Sequence, residues 1–393
     1  MTALENNENT EKKDGMHDEH VSLGLKAYEI IIVAVLTAIY LYIRITEQNP
    51  FIVAALGFVI ALWAIMKPTE WAVEGLTLLA ERIGIGTYAA GVLGSIMANF
   101  PELLLATLLI LKGQAKIGIL TVLIVAGANT LLFGVVIVKQ ASKRGGYVKV
   151  PATTLRYESE LMTFAFITAL FLFVYNFAEQ VQGKLDLVEN AYSVKIPVLY
   201  SVGTVAIYLS YLIFLTRDKE LNPQRTEEEK KQIKQLKYLS WKNISKLLIL
   251  GIIGIIIAGE LLANGAEILL HEAHTSGTEL GEAHIALIVG LLGSIPEWAV
   301  AFKAEEDIEL VFGNVLSSIS ATLLFMIGLI SIFLYFIGAT FELDSYAIVQ
   351  VVLSGSILLF VNLLMKDDLN LDTFEGLAII ILQLIGFEVL ISV

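Results

Sequence analysis

Apolar stretches long enough to cross a membrane follow one another along almost the whole of this 393-residue chain. A helix needs about 20 predominantly apolar residues to span the hydrocarbon core of a bilayer. Hydrophobic residues make up 56% of the chain and its mean hydropathy is +0.74, more than a soluble domain with a polar surface carries. The sequence therefore predicts an all-α integral membrane protein with no room for a large soluble catalytic domain.

The apolar pattern predicts about eleven transmembrane helices. They fall near 27–44, 54–82, 87–111, 117–138, 161–177, 196–216, 246–270, 284–302, 310–336, 346–365 and 374–393. Lys67, Pro68 and Glu70 interrupt the second stretch. That stretch therefore fits either one long broken helix or two shorter elements.

A polar insertion rich in Lys, Glu and Gln divides the chain into two halves. We predict five segments: an acidic cytoplasmic tail, an N-terminal transmembrane helix, a first five-helix repeat, a charged cytoplasmic linker and a second five-helix repeat. Their ranges are 1–24, 25–45, 46–216, 217–243 and 244–393. Because five is an odd number of crossings, the two repeats would be inverted relative to each other. Many secondary transporters have this plan, with the substrate site near the membrane midplane.

The distribution of basic residues predicts the orientation. All but five of the 26 Lys and Arg residues lie on the side that holds the 217–243 linker. By the positive-inside rule, the N-terminus and the linker are cytoplasmic and the C-terminus is outside. The net charge of −13 provides no basic face for nucleic acid. The absence of cysteine excludes disulfides, thiolate metal sites and cysteine nucleophiles.

Two similar motifs occur at comparable places in the two halves. The first reads Gly-Ser-Ile-Met-Ala-Asn-Phe-Pro-Glu and ends at Glu102, and the second reads Gly-Ser-Ile-Pro-Glu and ends at Glu297. A Thr-Leu-Leu-Phe sequence follows each motif at a similar distance, at 130–133 and 322–325. The agreement of both features indicates an internal repeat.

Glu102 and Glu297 are candidate cation ligands. A carboxylate in the middle of a membrane costs several kcal/mol and needs a partner, a proton or a bound cation. No Lys or Arg lies near either residue in sequence, so a cation held between the two carboxylates is the simplest solution.

A proline precedes each glutamate. Each proline also leaves one backbone carbonyl without its hydrogen bond, so that this carbonyl is available to a cation. A proline in a helix leaves the carbonyl four residues earlier without its hydrogen bond. For Pro101 that carbonyl belongs to Met97, and for Pro296 it belongs to Leu292. Hard cations such as Ca²⁺ take about 6–8 oxygen ligands from carboxylates and carbonyls together.

Further polar side chains are predicted to complete this site. Asn99 and Ser294 lie one turn before the two glutamates on the same helix faces. The helices that follow add Asn129, Ser317, Ser318, Ser320 and Thr322. Each of these polar residues could also serve only in helix packing, because Ser and Thr commonly bond to the backbone of their own helix.

These residues resemble the cation/calcium exchanger superfamily, whose two repeats each carry a glutamate-centred motif. The spacing is most similar to the proton-coupled branch, whose first repeat reads Gly-Leu-Leu-Asn-Ala-x-x-Gly-Asn-x-x-Glu. Here 91–102 reads Gly-Val-Leu-Gly-Ser-Ile-Met-Ala-Asn-Phe-Pro-Glu, and Asn129 falls where that branch has Ser-Asn-Leu-Leu. Residues 313–318 resemble its glycine-serine run. Trp298 stands where the branch has His, and the second motif is also similar to the Gly-Thr-Ser-x-Pro-Glu of the sodium-coupled branch.

The resemblance implies a secondary antiporter with Glu102 and Glu297 as shared ligands of the transported cation. The implied cation is Ca²⁺, with Mn²⁺ also suited to an oxygen-rich site, and the counter-ion is H⁺ or Na⁺. No cofactor is expected. The expected partners are the transported cations and the lipid bilayer, and the oligomeric state, including a homo-oligomer, is left open.

Three other hypotheses remain open from the sequence. The same scaffold could exchange a monovalent cation or Mg²⁺, or the chain could form an ion channel. In the third hypothesis, Glu102 and Glu297 form the acid/base pair of an intramembrane enzyme, although no nucleophile motif accompanies them. The acidic segments at 271–284 and 305–309 are interpreted as solvated connections, and weak attraction of external cations at the first and a regulatory cation site at the second are left open.

Overall fold

The computed structural model describes residues 27–46, 49–83, 87–185, 193–217, 241–276, 281–303, 308–339 and 342–391. The predicted acidic tail 1–24, residues 218–240 of the linker, and residues 277–280 and 305–307 of the two acidic segments lie outside this part of the chain. The described residues are almost entirely helical, and their short strands form only two-stranded pairs. The prediction of an all-α membrane protein is confirmed.

The helices are numbered here in chain order. The first seven are α1 (Ala27–Ile45), α2 (Pro50–Arg82), α3 (Thr87–Ala98), α4 (Phe100–Leu111), α5 (Ala115–Lys143), α6 (Ala152–Leu185) and α7 (Val198–Arg217). The others are α8 (Trp241–Ser276), α9 (Glu282–Lys303), α10 (Ile308–Ala321), α11 (Ile327–Phe336), α12 (Ser345–Asp367) and α13 (Thr373–Ile391). A π-helical segment, Thr322–Met326, joins α10 to α11.

Nine helical stretches of the described chain are long and apolar enough to cross a membrane. Together they match nine of the eleven predicted crossings. The first predicted crossing corresponds to α1, whose apolar stretch, Ala34–Ile45, is shorter than these nine. The eighth is α9, a 22-residue helix that carries Glu297 within its span.

The second predicted crossing is a single helix rather than two elements. Helix α2 runs without a break through Pro68. The ring of Pro68 packs against α8 at Gly254, where an added Cβ would overlap Pro68 Cγ. Because glycine leaves room for this close contact, α2 and α8 pack along each other despite the proline.

Two short strand pairs join connections from opposite halves of the chain. Strand β1 (Tyr147–Lys149), between α5 and α6, pairs antiparallel with β4 (Asn370–Asp372), between α12 and α13. Strand β2 (Ser193–Lys195), between α6 and α7, pairs with β3 (Glu342–Asp344), between α11 and α12. The predicted order of crossings places the members of each pair on the same side of the membrane. The pairing therefore agrees with the predicted parity of the helices.

Helix α5 lies at the centre of the described structure. Its span is 83% buried, and it contacts α4, α9, α10, α12 and α13. Such burial explains why its sequence is apolar on all sides. The central position brings the polar side chain of Asn129 against elements of both halves.

Candidate cation site

Glu102 and Glu297 both lie inside the helical core. Glu102 is fully buried in the first turn of α4, and Glu297 is 3% exposed within α9. The two motifs fold differently, because α3 ends at Ala98 and α4 begins after Asn99, whereas α9 continues through Pro296. Pro101 stands in the first turn of α4, where a missing N–H costs nothing.

The two carboxylates approach each other across the interface between α4 and α9. A Cβ added at Gly293 would lie 3.7 Å from Glu102 Cγ, so the Glu102 side chain packs against this glycine. Gly293 is one helical turn before Glu297. The Glu102 and Glu297 carboxyl groups consequently lie close enough to interact electrostatically.

Three of the four carboxyl oxygens receive no hydrogen bond from any residue that the structure describes. They are both oxygens of Glu102 and the Oε2 of Glu297. Two amide atoms beside them, Asn129 Oδ1 and Asn99 Nδ2, are also buried without a hydrogen bond among the described residues. Buried polar atoms are nearly always paired, so this concentration of unpaired oxygens indicates a site for a ligand.

Ser318 connects the polar groups of the site. Its hydroxyl lies 2.9 Å from Glu297 Oε1 and 2.8 Å from Asn99 Oδ1. Asn129 Nδ2 donates to the same hydroxyl at 2.9 Å. Helices α3/α4, α5, α9 and α10 are therefore joined at one oxygen atom.

The single hydroxyl proton of Ser318 cannot satisfy both of its acceptors at once. If Glu297 carries a proton, it donates to Ser318, which donates to Asn99 Oδ1, and every contact is satisfied. If Glu297 is ionised, Ser318 donates to it. The Asn99 amide is then satisfied by turning its NH₂ toward Ser318, which leaves its Oδ1 free. The network can thus accommodate a proton on Glu297 or release one oxygen as a ligand.

The remaining predicted residues are buried but differ in their hydrogen bonds. Ser294 donates to Leu291 O at 2.9 Å, and Thr322 donates to Ser318 O at 3.0 Å. Ser317 Oγ lies 3.2 Å from Ser95 Oγ. Ser320 Oγ finds no partner in the described part of the chain.

The carbonyls of Met97 and Leu292 lie four residues before Pro101 and Pro296, which have no N–H to offer them. The side chains of Met97 and Leu292 are half-buried.

The donor set has the chemistry of a hard-cation site. It offers carboxylate, amide and hydroxyl oxygens, which Ca²⁺ and similar cations prefer. No group of three His, Asp or Glu side chains suited to a metal occurs among the described residues. The site therefore combines two carboxylates with neutral oxygens, and their charge of −2 when ionised matches one divalent cation.

The sequence prediction missed a third buried carboxylate, that of Glu158. The predicted crossing begins at 161, whereas α6 begins at Ala152 and buries Glu158 completely. Glu158 and Thr154 continue the helical spacing of the buried positions 161, 162 and 165, but this burial is visible only in the structure.

The chain matches the family model for sodium/calcium exchanger proteins over residues 53–217 and 246–387. The chain belongs to this family. Its members are transporters rather than enzymes, which removes the intramembrane-enzyme hypothesis. The protein is thus a multi-pass integral membrane transporter of the cation/calcium exchanger superfamily, as the motifs predicted.

Solved structures of exchangers have the same fold at low sequence identity. The crystal structure of the H⁺/Ca²⁺ exchanger CAX matches with a TM-score of 0.64 and 16% identity, covering 94% of this chain and 93% of that one. Native YfkE matches with a TM-score of 0.65 and 16% identity, covering 93% and 99%. The sodium-calcium exchanger NCX_Mj gives 0.57 and 16%, covering 86% and 99%. No curated protein sequence matches.

Proposed function

We propose that this protein is a secondary active antiporter that exchanges Ca²⁺ for H⁺ by alternating access, with Na⁺ as the other candidate counter-ion. The observation that carries the proposal is the pair of buried carboxylates, Glu102 and Glu297, with three oxygens that no described residue hydrogen-bonds. Two ionised carboxylates at such a short separation in a membrane repel each other and require a positive charge nearby. A transported divalent cation supplies it.

The inner ligands in this proposal are the oxygens nearest the carboxylate pair. They come from Glu102, Glu297, Asn99, Asn129 and Ser318. Outer ligands are the hydroxyls of Ser294, Ser320 and Thr322 and the backbone carbonyls of Met97 and Leu292. Ser294 and Thr322 each donate to a backbone carbonyl, but a hydroxyl oxygen retains lone pairs for a cation.

Charge balance favours protons as the counter-ion. When one Ca²⁺ leaves and two protons replace it on Glu102 and Glu297, the buried site stays neutral. The hydrogen bonds of Ser318 fit this cycle, because they are fully satisfied when Glu297 carries a proton. When the proton leaves, Asn99 Oδ1 becomes available to the cation together with the two carboxylates.

Magnesium fits this donor set less well than calcium. Mg²⁺ demands near-octahedral geometry and retains several waters, whereas Ca²⁺ accepts 6–8 irregularly placed oxygens. Side-chain and backbone oxygens from four helical elements, α3/α4, α5, α9 and α10, suit the larger cation. A monovalent cation would leave the charge of two ionised carboxylates only half balanced.

The proposed orientation places the N-terminus and the 217–243 linker in the cytoplasm and the C-terminus outside. Under this orientation, the β1–β4 pair is cytoplasmic and the β2–β3 pair is external. The partners are the transported cations and the lipid bilayer, and a homo-oligomer is compatible with this arrangement.

The test is ⁴⁵Ca²⁺ uptake by the purified protein in liposomes. We expect uptake when an outward H⁺ gradient is imposed, with protons leaving the vesicles as Ca²⁺ enters. Uptake driven only by an outward Na⁺ gradient would assign Na⁺ as the counter-ion. Folded protein that takes up Ca²⁺ under neither gradient would contradict the proposal. Flux without movement of a counter-ion would instead indicate a channel.

A further inference from the structure

A lysine ties the end of α4 to α8. Lys112 directly follows α4, and its ammonium group donates to Asn264 Oδ1 at 2.8 Å. The same group lies 3.0 Å from Glu260 Oε1 and 3.7 Å from Glu267 Oε2. These three acceptors share one face of α8, at helical spacing. Asn264 also donates to Glu260 Oε1 at 3.2 Å, so two of the acceptors hold each other in place.

Lys112 closes the far end of the interface that covers Glu102. It is ten residues after Glu102, or about 15 Å along the chain of α4. Between the two, Leu104 and Leu108 pack on α8 at Gly259. A Cβ added at Gly259 would lie 3.7 Å from Leu104 Cδ2 and 3.3 Å from Leu108 Cδ1. Helix α8 therefore covers α4 from the turn beyond Glu102 out to Lys112, on the external side in the proposed orientation.

Helix α8 packs most extensively on α2. The Pro68 ring of α2 fills the space that Gly254 leaves. Near the other end of the pair, the Arg82 guanidinium of α2 lies 4.4 Å from the centre of the Trp241 ring of α8. The two helices therefore form one unit, and Lys112 is a polar link between this unit and the helix that holds Glu102.

The contacts of Lys112 are of moderate strength. The Lys112 side chain is 23% exposed, and those of Glu260 and Glu267 are 46% and 50% exposed. Water screens ion pairs that are this exposed, and each contributes little to stability. Such a contact favours one arrangement of two helices and still allows them to separate.

We propose that Lys112 is a latch that holds the outer side of the cation site closed. The inference rests on the alternating access of the proposed function, in which the site opens to each side in turn. An outer path along α4 to Glu102 requires α8 to leave Leu104 and Leu108, and this movement breaks the contacts of Lys112. The freed ammonium and carboxylate groups are then hydrated by the water that enters the open path.

The experiment uses a single introduced cysteine, because the chain has none of its own. Gly259→Cys places a thiol in the buried contact with Leu104 and Leu108. In the purified protein, a charged maleimide reaches this thiol only when α8 leaves α4. We expect Lys112→Met in this background to raise the labelling rate about fivefold. Loss of a positive charge by itself lowers the thiolate fraction and slows labelling, so the chemistry of the thiol does not account for a rise.

Two further lysine substitutions test the role of the charge and of the place. Lys112→Arg keeps the charge and is expected to restore slow labelling. Lys116→Met is the matched control. Lys116 pairs with Glu282 at 3.4 Å and so links α5 to α9, two helices that pack together around the site. We expect this control to leave the labelling rate at position 259 unchanged.

A second reporter distinguishes the latch from a general loosening of the protein. Gly94→Cys places a thiol in α3, where an added Cβ would lie 3.4 Å from Thr77 Oγ1 and 3.5 Å from Val73 Cγ1 of α2. This contact lies near the proposed cytoplasmic ends of both helices. Loosening of the whole bundle raises labelling at both positions, whereas release of the latch raises it at position 259 alone.

Three outcomes would overturn the inference in folded, monodisperse protein. They are an unchanged labelling rate at position 259 in Lys112→Met, an equal rise at position 94, and the same rise in Lys116→Met. Labelling requires no transport, so the test is separate from that of the exchange activity. The expected labelling pattern in a protein that takes up no Ca²⁺ under either gradient would support the latch and contradict the proposed exchange.

Discussion

Asn129 Nδ2 donates a 2.9 Å hydrogen bond to Ser318 Oγ, and this bond joins α5 of the first half to α10 of the second. The same hydroxyl contacts Glu297 and Asn99. A rearrangement of any one of these helices therefore changes the hydrogen bonding of the other groups. In a site that must bind and release a cation, such a shared contact couples the occupant of the site to the positions of the helices.

Ser318→Ala is expected to weaken Ca²⁺ binding about tenfold to a hundredfold, because one hydrogen bond to a charged group contributes roughly 1.5–3 kcal/mol. The variant removes the donor to Glu297 and the acceptor for Asn129 together. The measurement is the Ca²⁺ concentration for half-maximal uptake. Thr130→Val is the matched control, because the buried Thr130 hydroxyl donates only to Ala126 O of its own helix. Equal effects of the two substitutions would contradict the role of Ser318.

Glu102→Gln and Glu297→Gln are each expected to reduce Ca²⁺ exchange at least about a hundredfold, since each removes a full charge from the ligand set. The variants should remain folded, because glutamine has nearly the same shape and a neutral group is easier to bury. Uptake of ⁴⁵Ca²⁺ and elution as a monodisperse protein are the two measurements.

Glu388→Gln is the control for these two variants. Glu388 also lies in a membrane-spanning helix, α13, but its side chain is exposed. Its substitution is expected to leave exchange unchanged. Exchange at the wild-type rate in either Glu102→Gln or Glu297→Gln would remove that residue from the proposed ligand set.

The sequence predicted the helices and the two glutamates because both depend on local patterns. Apolar runs of fixed length define the crossings, and an isolated carboxylate in such a run is costly wherever the chain folds. The sequence did not specify which of the predicted polar groups meet at Ser318, because that depends on how α5, α9 and α10 cross. Nor did the sequence reveal that one proline motif breaks its helix at Asn99 while the other continues through Pro296.

Glu158 shows where the sequence argument reached its limit. Its neighbours Arg156 and Glu160 are charged, so hydropathy alone places this stretch outside the membrane. In the structure α6 begins earlier, and the charged neighbours point away while Glu158 is buried. Its burial and the hydrogen bond from Tyr211 distinguish it from a solvated glutamate.

Gly251→Ala is expected to destabilise the protein by about 1–3 kcal/mol, because an added methyl group has no room. A Cβ there would lie 2.7 Å from Pro68 O and 2.8 Å from Ala72 N, both backbone atoms of α2. Backbone atoms cannot move aside as the end of a side chain can. The midpoint of thermal unfolding in detergent is the measurement.

Gly203→Ala serves as the control for this packing contact. A Cβ at Gly203 would meet no described atom within 4 Å, and alanine favours the helix over glycine by up to about 1 kcal/mol. We therefore expect an unchanged or slightly higher midpoint. A Gly251→Ala protein as stable as Gly203→Ala would show that α2 and α8 do not pack closely at Pro68.

Calcium is expected to stabilise the folded protein, and more strongly as the pH rises. A ligand present at a hundred times its Kd adds about 2.7 kcal/mol to the free energy of unfolding. Carboxylates must lose their protons before they bind Ca²⁺, so protons and Ca²⁺ compete for Glu102 and Glu297. At a fixed Ca²⁺ concentration, the shift in the unfolding midpoint should therefore shrink as the pH falls.

The same thermal measurement distinguishes the proposed ion from its alternatives. Stabilisation by K⁺ or Mg²⁺ in place of Ca²⁺ would assign a different transported cation to the site. Stabilisation by Ca²⁺ that does not change with pH would contradict ligation by groups that exchange protons. The Glu102→Gln variant should lose most of the Ca²⁺-dependent shift, because the two oxygens that no described residue satisfies then become one neutral carbonyl and an amide donor. Such a donor repels a cation, and its partner Glu297 is left to bind Ca²⁺ with a single negative charge.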